Sequence, residues 1–306
     1  MSGSKRSDVG LSGRPRRSRN RRTDPELAAS PTLRRRRLAR ALLQLREAKG
    51  LTAKQAAAEA KKRSPHRAWS ETKVTRIETQ KIKRLRDVDV QTLLDVYGVT
   101  DPETREAYRK LAREASQTGW WVGYRDVLGT GVYVDLETEA SRIRTFELAI
   151  IPGILQTANY ARALIRGGGI VPDDQVERRV EARMARKQIL PRPDSPRIWA
   201  IIDETALRKI PPEVREEQLR YLIDVQRPDL RIQVLPDAIG PHAAMAGAFT
   251  ILDFPEDPSV VYLEQARSEL LLEEPDELSY YETVYDYVQS HALSPGDSRV
   301  LIESLI

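Results

Sequence analysis

The stretch "WSETKVTRIETQK", residues 69–81, places small polar side chains and an arginine at helical spacing beside an apolar edge. With Val74 and Ile77 turned inward, Glu71, Thr72, Lys73, Thr75 and Arg76 face out. Such groups on the first turns of a helix can hydrogen-bond base edges in a DNA major groove, which is wide enough to admit a helix. Arg76 is the best candidate for a bidentate guanine contact, worth about 1–3 kcal/mol of discrimination. Thr52 and the free amides at the start of the preceding helix could bind a phosphate. Lys81, Lys83, Arg84 and Arg86 could hold the other flank. The bland reading of the same residues is a solvated surface helix.

Other chemistry is poorly supported. Asp203, Glu204, His242, Glu264 and Glu269 are the candidates for acid–base work. The three histidines (His66, His242, His291) share no metal-ligand spacing, and no nucleophile elbow, phosphate-binding loop or dinucleotide fingerprint is present. "RGGGI" at 166–170 follows a helix instead of a strand and reads as a helix stop. The expectation is a non-enzymatic chain without cofactor or metal. Trp120, Trp121 and Tyr124 offer either a docking surface or core packing, and "SYYETVYDYVQSHAL" either a partner face or an amphipathic core helix.

The elements that must position residues 70–76 are helical. In "TLRRRRLARALLQLREAKG", Leu38, Ala41, Leu42 and Leu45 share one face, and Gly50 follows as a stop. Thr52 and Gln55 stand at capping-box spacing ahead of an alanine-rich helix that ends at Ser64-Pro65. Ser70 is a natural N-cap, and Trp69 with Val74 has the spacing of a hydrophobic staple. Val90, Leu93, Leu94 and Tyr97 mark a fourth helix closed by Gly98. Asp101-Pro102 starts a fifth. Beyond "GWWVGY", helical patterns at about 137–147, 156–166, 173–190 and 204–226 alternate with β-like runs. These are "RIWAIID", "LRIQVLP", "GAFTILDF", "SVVYLEQ" and "SELLLEE"; the last three lie close together, which favours antiparallel pairing. Two helices close the chain.

The expected architecture is therefore multidomain. A disordered basic tail (1–31) precedes an all-α five-helix domain (32–118) and an α+β domain (119–306) with a small, mainly antiparallel sheet. Charge follows this division. Residues 1–100 hold 26 Lys/Arg against 10 Asp/Glu, while the remaining 206 hold 24 against 35. A basic first third suggests a polyanion-binding module. The chain has no cysteine and no apolar run of membrane-spanning length, which fits a cytoplasmic, nucleoid-associated protein.

Two resemblances add to this reading. "REAKGLTAKQAAAEA…WSETKVTRIETQKIKRLRDVDVQTLLDVYGV" resembles the lambda-repressor-like, Xre-type helix-turn-helix. The resemblance implies that Glu71, Thr72, Thr75 and Arg76 read bases, that Lys73 and the 81–86 loop face phosphates, and that Arg46 and Glu78 form a structural ion pair. "KKRSPHRAW" departs from that pattern by adding about seven residues to the turn. It would either bulge as a basic loop or loosen the bracing. "IPGILQTANYARA" and "VLP…GAFTILDF" are similar to an actinobacterial regulator family with an antitoxin-like or WhiJ-like C-terminal domain. That resemblance implies a transcriptional regulator paired with a small protein encoded nearby. Double-stranded DNA and a second copy of the chain are the other expected partners, since helix-turn-helix proteins usually bind as dimers. An interaction protein that mainly sequesters a small partner is the alternative, and a small-molecule sensor a third.

Overall fold

Local sequence signals set the first helices. The computed structural model describes residues 31–80, 82, 85–117, 119–265 and 268–306. Helices α1 (Pro31–Ala48), α2 (Ala53–Arg63), α3 (Glu71–Glu78), α4 (Asp87–Tyr97) and α5 (Pro102–Ala115) form the N-terminal layer. Thr52 and Gln55 close a reciprocal capping box on α2. Ser70 accepts from the Lys73 amide at 3.1 Å to start α3, and Asp101 from the Thr104 amide at 2.7 Å to start α5. Gly98 takes a left-handed φ of 79° at the end of α4, a conformation costly for a residue with a Cβ. Leu42, Ala56, Ala60, Trp69, Val74, Ile77, Val90, Leu93 and Leu94 make one apolar core among these helices.

The rest is an α+β layer. It runs α6 (Arg125–Leu128), α7 (Val132–Glu139), β1 (Arg142–Glu147), α8 (Ala158–Gly167), α9 (Asp173–Arg186), β2 (Arg197–Asp203), α10 (Glu204–Arg208), α11 (Pro212–Asp224) and β3 (Leu230–Leu235). Then follow β4 (Phe249–Asp253), β5 (Val260–Glu264), β6 (Glu269–Leu272), α12 (Pro275–His291) and α13 (Pro295–Ser304). The sheet order is β3-β2-β1-β4-β5-β6. β1, β2 and β3 are parallel neighbours, whereas β4, β5 and β6 join by antiparallel pairings. The sheet is thus mixed, and β4–β6 pair as their close spacing predicts.

Alternation along the strands divides two cores. Ile143, Ile198, Ile202, Ile232, Val234 and Leu252 share one apolar core with Leu136, Leu219, Leu222 and Ile302. Phe146, Ile201, Leu235, Phe249, Ile251 and Val261 share the other with Val284, Tyr285 and Val288 of α12. The helix expected at 137–147 is corrected: α7 ends at Glu139, and Arg142–Glu147 is the central strand. Leu136, Ala140 and Ile143 have helical spacing, but parallel pairing of β1 with β2 and antiparallel pairing with β4 outweigh that local preference.

α1 belongs to both layers. At 18 residues it is about 27 Å long. Its second half packs in the helical core, while Leu33 is buried in the larger sheet core. The Thr32 amide donates to Asp135 at 2.7 Å. Arg37 and Arg40 converge on the buried Asp257, at 2.7 and 2.9 Å, and the buried Arg36 lies 3.2 Å from Glu273. These arginines, part of the basic excess of the first hundred residues, are occupied by carboxylates of the sheet layer.

Candidate nucleic-acid interface

α3 is held from beneath by its apolar edge and from behind by an ion pair. Val74 and Ile77 are buried. Arg46 Nε lies 2.8 and 3.0 Å from the two oxygens of Glu78, itself buried, and Arg46 Nη1 donates to the Leu51 carbonyl at 2.6 Å. The Tyr97 hydroxyl donates to Glu78 at 3.3 Å. Hydrogen bonding to Glu78 raises the Arg46 pKa despite partial burial, and burial next to Glu78 pushes the Tyr97 phenol well up. Arg46, Glu78 and Tyr97 therefore tie α1, α3 and α4 together with complementary charge at the centre. A buried carboxylate satisfied in this way resists being re-aimed.

The outer face of α3 is open. Ser70, Glu71, Thr72, Thr75 and Arg76 are exposed. Arg76 makes no hydrogen bond or ion pair among the described residues, so its donors are available. Thr52 is exposed at the start of α2, although its hydroxyl is already engaged with the Gln55 amide. Lys73 departs from the outward placement expected of it. Its ammonium lies 2.9 Å from Asp89 and 3.9 Å from the centre of the Trp69 ring, so it braces the module. Lys81, Lys83 and Arg84 lie outside the described residues, as does all of the expected basic tail except Pro31. Arg86 is exposed at the N-cap of α4.

The added turn residues are anchored, not loose. Between α2 and α3, Trp69 is buried in the helical core and Arg67 reaches back to Asp89 in bidentate fashion, at 2.7 and 2.8 Å. Asp89, on α4, thus gathers Arg67 and Lys73 at one buried carboxylate. Burial acts to raise its pKa, but the hydrogen bonds from Arg67 and Lys73 outweigh it and hold the carboxyl below its usual value. Sequence reading misses this hub because nothing local distinguishes Asp89 from a surface acid in the first turn of a helix. Gln80, just after α3, adopts φ of 60°, an uncommon conformation for a non-glycine residue that turns the chain out of the helix.

Four of the five residues considered for acid–base chemistry have structural partners. Asp203 caps α10 through the Thr205 amide at 2.9 Å, and Glu204 accepts from the Asp237 amide at 3.0 Å and pairs with Arg208. His242 accepts from the Ala244 amide at 3.3 Å. Glu269 accepts from the Thr130 hydroxyl. Glu264 stands apart at the mouth of a cavity on the sheet. Trp121 is buried, and the Trp120 indole donates to Thr138 at 3.4 Å. In α12, Tyr285 is core and donates to the Trp199 carbonyl at 2.9 Å, while Tyr280 and Tyr287 are exposed. Among the described residues no three acidic or histidine side chains converge as metal ligands, and no helix is long and apolar enough to cross a membrane.

This arrangement agrees with the known families that the chain matches. A model described as a helix-turn-helix domain matches residues 37–107, from the middle of α1 into α5. No curated protein and no solved structure matches the chain. A helix-turn-helix module, the type that binds DNA, therefore precedes the sheet layer. A second model, described as a domain of unknown function (DUF5753), matches residues 130–304, from the start of α7 through α13 and more than half of the chain. The chain belongs to the DUF5753 family.

Proposed function

We propose that this chain is a sequence-specific, Xre-type transcriptional regulator that inserts α3 into the DNA major groove. The observation that carries this reading is the exposed Arg76, unpaired among the described residues, on a helix whose opposite face is fixed by Val74, Ile77 and the Arg46–Glu78 pair. Glu71, Thr72, Thr75 and Arg76 read base edges, while Ser70 caps the reading helix. Thr52 and its neighbouring amides at the start of α2 contact the backbone, and Lys81, Lys83 and Arg84 do so on the other flank. Two copies bind together, with reading helices spaced about one DNA turn, roughly 34–36 Å, apart. The protein works in the cytoplasm on the nucleoid, without cofactor or catalysis. The sheet layer senses a small protein encoded nearby or a ligand, and the effector changes occupancy through differential affinity for two arrangements of the reading helices. The continuity of α1 between the two layers supports that coupling.

The test is fluorescence anisotropy with the gene's own upstream duplex and a scrambled duplex across a salt series. The wild type should prefer the native duplex, and Arg76→Ala should lose about 1–3 kcal/mol of that preference. Equal binding of both duplexes by both proteins would reduce the interaction to non-specific attraction of basic groups. A second reading is an antitoxin-like protein whose main task is to hold a small partner. The exposed Tyr280 and Tyr287, seven residues apart on α12, favour it, since tyrosines are enriched at interfaces. A stoichiometric small protein that co-purifies equally with wild type and Arg76→Ala would move this reading to first place.

A further inference from the structure

The inward side of β1, β4 and β5 is not wholly filled. Between that part of the sheet and helices α7 and α9 lies a cavity of about 490 Å³, within the usual size for a small-molecule site. A second cavity of about 810 Å³ shares Tyr133, Arg183, Arg186, Tyr262 and Glu264 with it as lining. Three arginines of α9 (Arg179, Arg183 and Arg186) and four glutamates (Glu137, Glu147, Glu264 and Glu269) line these two spaces. Among the described residues a single ion pair joins the seven, Arg186 to Glu137 at 2.9 and 3.0 Å. That pair is a built wall, with Glu137 buried and the Arg186 guanidinium over the Tyr133 ring.

Among the described residues the other charges have no ion-pair partner, and Glu269 accepts from the Thr130 hydroxyl. Arg183 donates one hydrogen bond, to Gln156 Oε1 at 2.6 Å, and among the described residues has no carboxylate within ion-pair distance. Gln156 is fully buried and fixed by the Ile151 carbonyl at 2.7 Å, so it holds the guanidinium in a set orientation. Glu147 and Glu264 make no hydrogen bond among the described residues. Native interiors ordinarily pair or solvate such groups, because an isolated charge away from water is costly. Charges of both signs stand around one cavity without meeting. A ligand of one sign would satisfy half of them and worsen the rest.

We propose that this cavity binds a zwitterionic small molecule, its carboxylate on Arg183 and its ammonium between Glu147 and Glu264. The apolar body of the ligand lies along Ile143, Ile154 and the Tyr262 ring, which line the same space. An amino acid with a large apolar side chain, or a short peptide, has this chemistry. Burial, and then the neighbouring Glu264 charge, push the Glu147 carboxyl up to about 8; an ammonium between the two carboxyls favours their ionised form. This inference rests on the reading of the sheet layer as a sensor and gives that sensor a ligand class.

The test is isothermal titration of the full chain, without DNA, using three related probes. L-phenylalanine carries both charges, 2-phenylethylamine the amine alone and 3-phenylpropanoate the carboxylate alone. The zwitterion should bind at least about tenfold tighter than either, the equivalent of ~1.4 kcal/mol. Arg183→Gln should lower its affinity to that of the amine, and Glu147→Gln to that of the carboxylate. Equal affinity for the three probes on the wild type, or no saturable binding of any, overturns the proposal whether or not the variants fold. Anisotropy with the upstream duplex, with and without L-phenylalanine, separates the two readings. Binding that leaves DNA affinity unchanged keeps the site and removes its role as a sensor; DNA binding without ligand binding overturns the site and leaves the regulator reading standing.

Discussion

Replacing Asp89 by asparagine should loosen the helix-turn-helix module from a buried position behind its third helix. The carboxylate is 4% exposed and accepts three charge-assisted hydrogen bonds, two from Arg67 and one from Lys73, at 2.7 to 2.9 Å. A hydrogen bond to a charged group contributes about 1.5–3 kcal/mol net. The Arg67 and Lys73 side chains retain 23% and 19% exposure, so water recovers part of the loss when their partner is neutralised. The net cost should therefore be about 2–3 kcal/mol, or roughly 30- to 160-fold in the opening equilibrium. Native-state hydrogen exchange is the appropriate assay, because it resolves local opening. Protection of the Val74 and Val90 amides should fall by that factor, while amides of β1 and β2 keep theirs. The pH dependence has a definite sign. A carboxyl whose pKa is lower folded than unfolded contributes stability that is complete above its unfolded value, about 3.9, and lost as pH falls through the folded value. The difference between wild type and Asp89→Asn should thus be full at pH 5–7 and shrink below about pH 4. A loss of protection below threefold, or one spread equally over the sheet, would refute the assignment of Asp89 as a local hub.

Three further outcomes follow from the packing. Arg46→Gln leaves Glu78 buried with Tyr97 as its remaining side-chain partner, so it should destabilise the helical layer by about 3 kcal/mol and weaken binding to all duplexes, measured by exchange and anisotropy. Gly131→Ala should cost about 2–4 kcal/mol in a denaturant titration, because the added Cβ would lie 2.3 Å from the Trp121 ring at a φ of +65°. Near-wild-type stability would mean that the indole moves aside cheaply. Asp257→Asn removes the shared partner of Arg37 and Arg40, so limited proteolysis should cut the first half of α1 faster while leaving α3 and α4 intact.

The N-terminal layer was legible residue by residue because its signals are local. The Thr52–Gln55 box, the Ser70 and Asp101 caps, the Trp69–Val74 staple and the inward rows of α4 depend on neighbours within one or two turns, and such interactions hardly depend on the rest of the chain. The strands from β2 onward were legible for a similar reason, being short runs of branched residues between breakers. β1 was not. A central strand takes its conformation from pairing on both edges, and its residues Ile143 and Phe146 imitate a helical repeat. Only β1 as a strand puts Thr145 and Glu147 on one face with Tyr262 and Glu264, so the cavity depends on pairings the local sequence does not encode. Counting charge has the same limit: the arginines of the first hundred residues suggest a polyanion partner, yet Arg36, Arg37 and Arg40 among them pair with acids more than 200 residues along the chain. Sequence alone thus determined the helices and their caps, where a hydrogen bond closes over a few residues. Only the tertiary structure decided which charges remain free to meet a ligand, because an ion pair depends on distance in space and the chain's spacing does not encode it.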